Sequence, residues 1–157
     1  MVDIGRSVAA RGPGMVSLVG ETQSEDFPVT PHGYDLTFNG GWDAFLVTLR
    51  VAPSMHVQAI VPEYRPVGSG YVVGAGVQIA LADGSLVNGA RVQVRLTYPD
   101  GQQVVLAGTT GSSGIALVAR PATDSGTYRF TVLDVARSPA VYDPSQNAET
   151  TDSLTIP

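Results

Sequence analysis

The sequence predicts an all-β chain: a β-sandwich of about seven strands preceded by a short antiparallel β-meander. Three observations carry that prediction. Apolar residues recur at every second position and seldom at the i, i+3, i+4 spacing of a helix face. The 18 glycines and 11 prolines, helped by aspartate and asparagine, interrupt short valine-rich runs at the ~8–12-residue spacing of all-β folds. The chain has 157 residues, 43% of them hydrophobic and 15% charged, which is long enough to bury a core and too poor in charge for a long solvated helix.

In the first part the strand candidates are Arg6–Ala10, Met15–Glu21 and Trp42–Val51, with the polar, proline-bearing stretch Thr22–Gly41 joining the last two. Ala52-Pro53-Ser54 then interrupts two strand-like runs and sets the boundary between residues 1–52 and 53–157. A segment as short as the first buries little of its surface when alone, and three strands make a sheet with two faces. One of those faces needs a neighbour.

The second part alternates well. Met55–Val61 is its first strand, and Tyr71–Leu81 a longer one with Val73, Ala75, Val77, Ile79 and Leu81 on one face. Ala82-Asp83-Gly84-Ser85 turns the chain, its Asp-Gly pair supplying residues that tolerate positive φ. In Ala90–Tyr98, Val92, Val94, Leu96 and Tyr98 face the core while Arg91, Gln93, Arg95 and Thr97 meet water. Pro99–Gln102 is a second turn, followed by Gln103–Gly108, a third turn at Gly111–Gly114, and Ile115–Ala119. Tyr128–Val135 places Tyr128, Phe130 and Val132 on one side, and Ser153–Ile156 closes the domain.

Composition excludes several functions. All nine basic residues are arginine and the net charge is −5, so the basic stripe that nucleic-acid binding requires is missing. No apolar run approaches the ~20 residues of a helical membrane span. Without cysteine there is no disulfide, thiolate metal site or cysteine nucleophile. Residues 1–15 lack the apolar h-region of a secretory signal. No glycine-rich phosphate loop opens a helix, which argues against nucleotide binding.

The residues able to do chemistry are few. His56 lies between Met55 and Val57 and is read as an outward-facing strand residue; His32 occupies the turn Pro31-His32-Gly33, with Asp35 near enough in sequence to orient it. Neither is accompanied by a Gly-x-Ser-x-Gly elbow, and Glu25-Asp26 and Asp152 are candidates for paired carboxylates by type alone. We therefore expect no enzyme. The stretch from Asp143 to Asp152 is rich in oxygen donors, so a calcium ion, the one cofactor considered, would draw on Asp143, Asn147 and Glu149; the other reading is a polar loop with Asp143-Pro144 and Asn147 as turn formers. Tyr34 and Trp42 are the aromatic candidates for stacking a sugar ring, beside Phe38 and Phe45.

Two resemblances follow from particular residues. Gly14–Thr22, then Asp26-Phe27-Pro28-Val29-Thr30-Pro31-His32-Gly33-Tyr34, then Asn39–Leu49 with Gly41-Trp42-Asp43-Ala44-Phe45, resembles one β-propeller repeat of large secreted bacterial proteins. Thr48 stands where that repeat usually has lysine, and His32-Gly33 where Gly-Ala is commoner. A propeller blade buries its faces against neighbouring blades. The resemblance therefore implies a truncated blade whose partners are upstream blades or domains of the same or a larger protein; the competing reading is that these 52 residues pack onto the sandwich.

The second part resembles the immunoglobulin-like modules of secreted bacterial enzymes and surface proteins. The residues that carry this are Met55-His56-Val57, Asp83–Val92, Thr110–Gly114, Tyr128–Val135 and Val141–Asn147. Asp124-Ser125-Gly126-Thr127-Tyr128 resembles a tyrosine corner, and Phe130 takes the place of the cysteine in antibody domains. The two resemblances together imply an immunoglobulin-like sandwich after a single propeller-type blade. They also imply an extracellular or cell-surface module that is structural, spacing or adhesive. The alternative is a module that binds polysaccharide, cell wall or another cell-surface protein, with calcium as a stabiliser.

Overall fold

Alternation in the sequence becomes strand almost everywhere it occurs. The computed structural model describes residues 1–11 and 14–157 and divides the chain into two units, Met1–Ala52 and Pro53–Pro157. Among the described residues there is no α-helix.

The first unit is one antiparallel sheet in the order β1 (Asp3–Ala10), β2 (Met15–Thr22), β3 (Asp43–Arg50). β1 begins three residues before the predicted start because a bulge between Gly5 and Ser7 lets Arg6 lie unpaired without ending the ladder. The bulged Arg6 reaches the Glu21 carboxylate in a salt bridge. None of the unit's described hydrophobic side chains is fully buried; its buried residues are Ser17, Thr22 and Ser24. The Asp3 carboxylate accepts from the Thr22 hydroxyl at 2.5 Å and the Ser24 hydroxyl at 2.9 Å, which ties the start of β1 to the end of β2. These hydroxyls, Thr22 first, hold the Asp3 carboxyl below its usual range. Phe45 on β3 lies over Gly20, where a Cβ would come within 2.4 Å of its ring, and Phe27 stacks on Phe45 at 4.6 Å.

The second unit is two four-stranded sheets around one core. The first sheet has the order β10–β4–β5–β8, with β4 at Ser54–Val67, β5 at Gly70–Leu81, β8 at Ile115–Ala122 and the short β10 at Val141–Tyr142. The second has the order β11–β9–β6–β7, with β6 at Arg91–Thr97, β7 at Gln103–Thr109, β9 at Gly126–Ala136 and β11 at Thr151–Ile156. Val57, Val73, Val77 and Ile79 of the first sheet and Val92, Val94, Leu96, Tyr128 and Phe130 of the second have no exposed surface and share one cluster. These are the inward positions of the alternation, so the pattern that made the strands also made the core. The Asp-Gly turns form as their chemistry dictates, with Gly84 at φ 84° and Gly101 at φ 86°.

β4 is longer than the sequence suggests. It continues through Pro62 and Pro66, which read locally as strand breakers, and closes a hairpin with β5 at Gly68-Ser69. Both prolines are compatible with an edge. The Ile60 N–H points off the sheet to Glu149, and Pro62 and Pro66 stand two and six residues further on, where the missing N–H would also point outward. Proline thus removes two donors from an edge that would otherwise invite another strand.

The tyrosine corner forms: the Tyr128 hydroxyl donates to the Asp124 carbonyl at 2.6 Å, and the Tyr98 ring meets Tyr128 edge-on at 5.7 Å. Burial, with the Asp124 charge second, raises the Tyr128 hydroxyl's pKa. Tyr128→Phe is expected to cost about 1 kcal/mol, because exposed Asp124 can give its carbonyl to water. Chemical unfolding checks this, and a change above about 3 kcal/mol would show that more than this bond is lost.

Candidate functional site

The oxygen-rich stretch near the C-terminus is a strap along the edge of β4. β10 pairs in parallel with Ser54 and Met55 of β4. A single 3₁₀ turn, Pro144–Gln146, follows and is capped by Asp143, whose side chain accepts from the Ser145 N–H at 3.0 Å and hydroxyl at 2.6 Å. The other Asp143 oxygen accepts from the Gln146 amide at 2.7 Å. Asn147 then faces β4: its Oδ1 accepts from the Val57 N–H at 2.9 Å, and its amide donates to the Tyr142 hydroxyl at 2.8 Å and the Thr150 hydroxyl at 3.2 Å. The Ala148 N–H returns to the Val57 carbonyl at 2.9 Å, and Glu149 Oε2 accepts from the Ile60 N–H at 2.7 Å. β4 bulges between Val57 and Ala59, so a regular strand could not follow its edge here. Two side chains and one amide take the place of the missing ladder.

Asp143, Asn147 and Glu149, the residues a calcium ion would have drawn on, are each engaged by protein donors. Among the described residues, no group of three or more histidine, aspartate or glutamate side chains is placed to hold a metal ion. Ser145's hydroxyl, then Gln146's amide, hold the Asp143 carboxyl below 3.8, with a smaller contribution from His56. A depressed folded-state value means that the carboxylate's contribution to stability is complete above the unfolded value of 3.8 and is lost as pH falls through the folded one. Unfolding midpoints measured from neutral pH down through that range are expected to converge for the native chain and Asp143→Asn. A gap that persists at the acid end would contradict this account.

The same device recurs. Asp35 accepts from the Thr37 N–H and hydroxyl at 3.0 and 2.7 Å, and Asp83 from the Ser85 N–H and hydroxyl at 3.0 and 2.6 Å. In both the hydroxyl leads in holding the carboxyl low. Asp35 thus serves Thr37, and the exposed His32 is not oriented by it. His56 is half-buried, with Nε2 3.2 Å from Gln58 Oε1 and Nδ1 buried without a partner. Glu25 and Asp26 are exposed in a turn, and Asp152 accepts from the next residue's N–H at 2.7 Å.

Tyr34 is fully exposed on the connection between β2 and β3, and Trp42, just before β3, is 47% exposed. A groove of about 380 Å³ at one end of the sandwich is lined by Tyr98, Asp100, Gln102, Gln103, Arg120 and Asp124. A smaller one, about 190 Å³, lies over Gly74 between Glu63, Arg65, Val72 and Ala119. Sequence reasoning had no access to either, since both depend on register between distant strands.

No protein-family model matches the chain, nor does any curated protein or any solved structure.

Proposed function

We propose that the chain is a non-catalytic structural or adhesive module of a secreted or cell-surface protein, built from a self-sufficient immunoglobulin-like sandwich and a sheet that needs further sheets to cover it. The observation that carries this reading is the division of apolar burial. Every fully buried hydrophobic side chain among the described residues belongs to Pro53–Pro157. The first unit instead leaves Val8, Val19, Leu46 and Leu49 exposed. A sheet in that state is stabilised by packing against a neighbour. The immunoglobulin-like reading is supported by two sheets that group the first, second and fifth long strands apart from the third, fourth, sixth and seventh. It is supported also by Tyr128 and by Phe130 in the core. The extracellular setting rests on the two resemblances.

Residues 53–157 produced alone are expected to unfold cooperatively, while residues 1–52 alone are expected to be digested rapidly by protease. A protease-resistant, compact 1–52 would overturn the proposal. The exposure of Tyr34 and Trp42 favours a second reading, a module that stacks sugar rings on those two faces. On that reading insoluble polysaccharide retains the chain and releases Trp42→Ala, and chelation with EDTA lowers the melting temperature if calcium contributes. On the first reading none of these occurs.

A further inference from the structure

The outer faces of the two sheets differ in a way that alternation alone does not require. On the β11–β9–β6–β7 sheet the outward positions are mostly polar, Arg91, Gln93, Arg95 and Thr97 on β6, Arg129 and Thr131 on β9, and Thr151 and Ser153 on β11, with Val105 and Ala107 on the edge strand β7 and the exposed Leu133 on β9 as its apolar exceptions. On the β4–β5–β8 sheet the register sets out four outward rows across three strands. They are Ala59–Gln78–Ile115, Val61–Gly76–Leu117, Glu63–Gly74–Ala119 and Arg65–Val72–Pro121. Leu117 is 71% exposed and Val61 62%, at the two ends of one row, with Ile115 next to Leu117. Gly74 has an internal reason to be glycine, since a Cβ there would come within 2.6 Å of the Val118 carbonyl oxygen. Nothing comparable holds the exposed leucine and valine in place; polar residues would serve equally well at those positions.

We propose that this outer face of the β4–β5–β8 sheet is a self-association surface whose occupant is the same face of a second copy of the chain. The arrangement of charge points to a second copy. The face's charged side chains, Glu63 and Arg65, both lie on β4, and the outward residues of β8 are Ile115, Leu117, Ala119 and Pro121. A two-fold axis running along β5, between two stacked faces, lays β4 of each copy on β8 of the other. Val61 then meets Leu117 twice, Ala59 meets Ile115 twice, and no charge is set against a like charge. Glu63 and Arg65 lie over Ala119 and Pro121, with their charged ends free to reach water at the rim. Three strands and four rows give roughly 400 Å² of sheet per copy from strand spacing and rise. That is about half of what each partner of a standard interface contributes, so the dimer is weak and concentration-dependent.

The test is sedimentation equilibrium of the full chain from about 10 µM to about 1 mM, a range that spans weak association. The average mass is expected to rise above 16.3 kDa with concentration. Added salt is expected to sustain or strengthen the association, because each copy carries −5 and the contact is apolar. Leu117→Glu and Val61→Glu, both at exposed positions, are each expected to raise the dimer dissociation constant at least about tenfold. Arg95→Glu, on the opposite face, is expected to leave it unchanged. A monomer throughout the range overturns the proposal. So does a dimer that survives both variants and is broken by Leu49→Glu, which would place the contact on the first unit's sheet. Neither outcome bears on whether residues 1–52 resist protease, so this proposal and the proposed function can fail separately.

Discussion

Phe130→Ala is expected to lower the stability of the sandwich by about 3–5 kcal/mol, the range for emptying a large aromatic from a core. Phe130 has no exposed surface and sits at the centre of β9, paired with Leu96 on one side and Asp152 on the other. On the proposed immunoglobulin-like reading, Phe130 stands where antibody domains hold a cysteine bonded across the two sheets. This chain has no cysteine, so apolar packing between the sheets must do all of that work. The core cluster it belongs to is rich in valine, Val57, Val77, Val92 and Val94 among them, and such side chains are stiff at χ1, branched close to the backbone and poorly able to fill a void. A domain of this size has about 5–15 kcal/mol in total, so the variant would be marginal. The midpoint is expected to fall by roughly 15 °C or more in a thermal melt. Phe130→Leu should recover most of the loss, since it restores volume without new polarity. A fall of less than about 1 kcal/mol for the alanine variant would mean that the inter-sheet contact is carried elsewhere.

Much of this fold is legible in the sequence because each strand's inward and outward positions are set by local alternation. β6 is the clearest case: Val92, Val94 and Leu96 are buried and Arg91, Gln93 and Arg95 turn to solvent or its margin, as the pattern demands. The Asp-Gly turns at Asp83-Gly84 and Asp100-Gly101 are equally local, each closing its own hairpin or bend. Legibility fails where partners are distant. Pro62 and Pro66 look like the end of β4 until it is known that β4 lies at an edge and pairs with β5 on one side alone over that stretch. The bulge at Arg6 hides the start of β1 for a similar reason, since unpaired residues carry no alternation. The strap is the sharpest instance. Asp143, Asn147 and Glu149 read by type as oxygen ligands, and nothing within ten residues says that two of them reach across about ninety positions to β4 amides. The outward apolar row Val61–Gly76–Leu117 is likewise three unremarkable residues until the register aligns them.

The strap makes its own demand on the chain, and Asn147 is where it can be measured. Asn147→Ala is expected to destabilise the sandwich by about 1–3 kcal/mol, the cost of leaving a partly buried donor unpaired. The substitution strips the acceptor from the Val57 N–H and the donor from the Tyr142 hydroxyl, while the Ala148 N–H still holds the Val57 carbonyl. Glu149→Ala is expected to act in the same direction through the Ile60 N–H, whereas Glu149→Gln keeps a side-chain oxygen in reach and should cost well under that. Global stability alone would not separate an edge effect from a general loosening, so the decisive readout is residue-specific hydrogen exchange. In Asn147→Ala the Val57 amide should lose protection while Val77 and Val94, in the middle of each sheet, change only with the global stability. The freed edge should also raise the tendency to aggregate at high concentration, because Val57 would then present an open donor on the strand edge whose further stretch the two prolines protect. Unchanged protection at Val57 would mean that the strap merely lies along β4 and that the edge is held by β10 and the Ala148 bond.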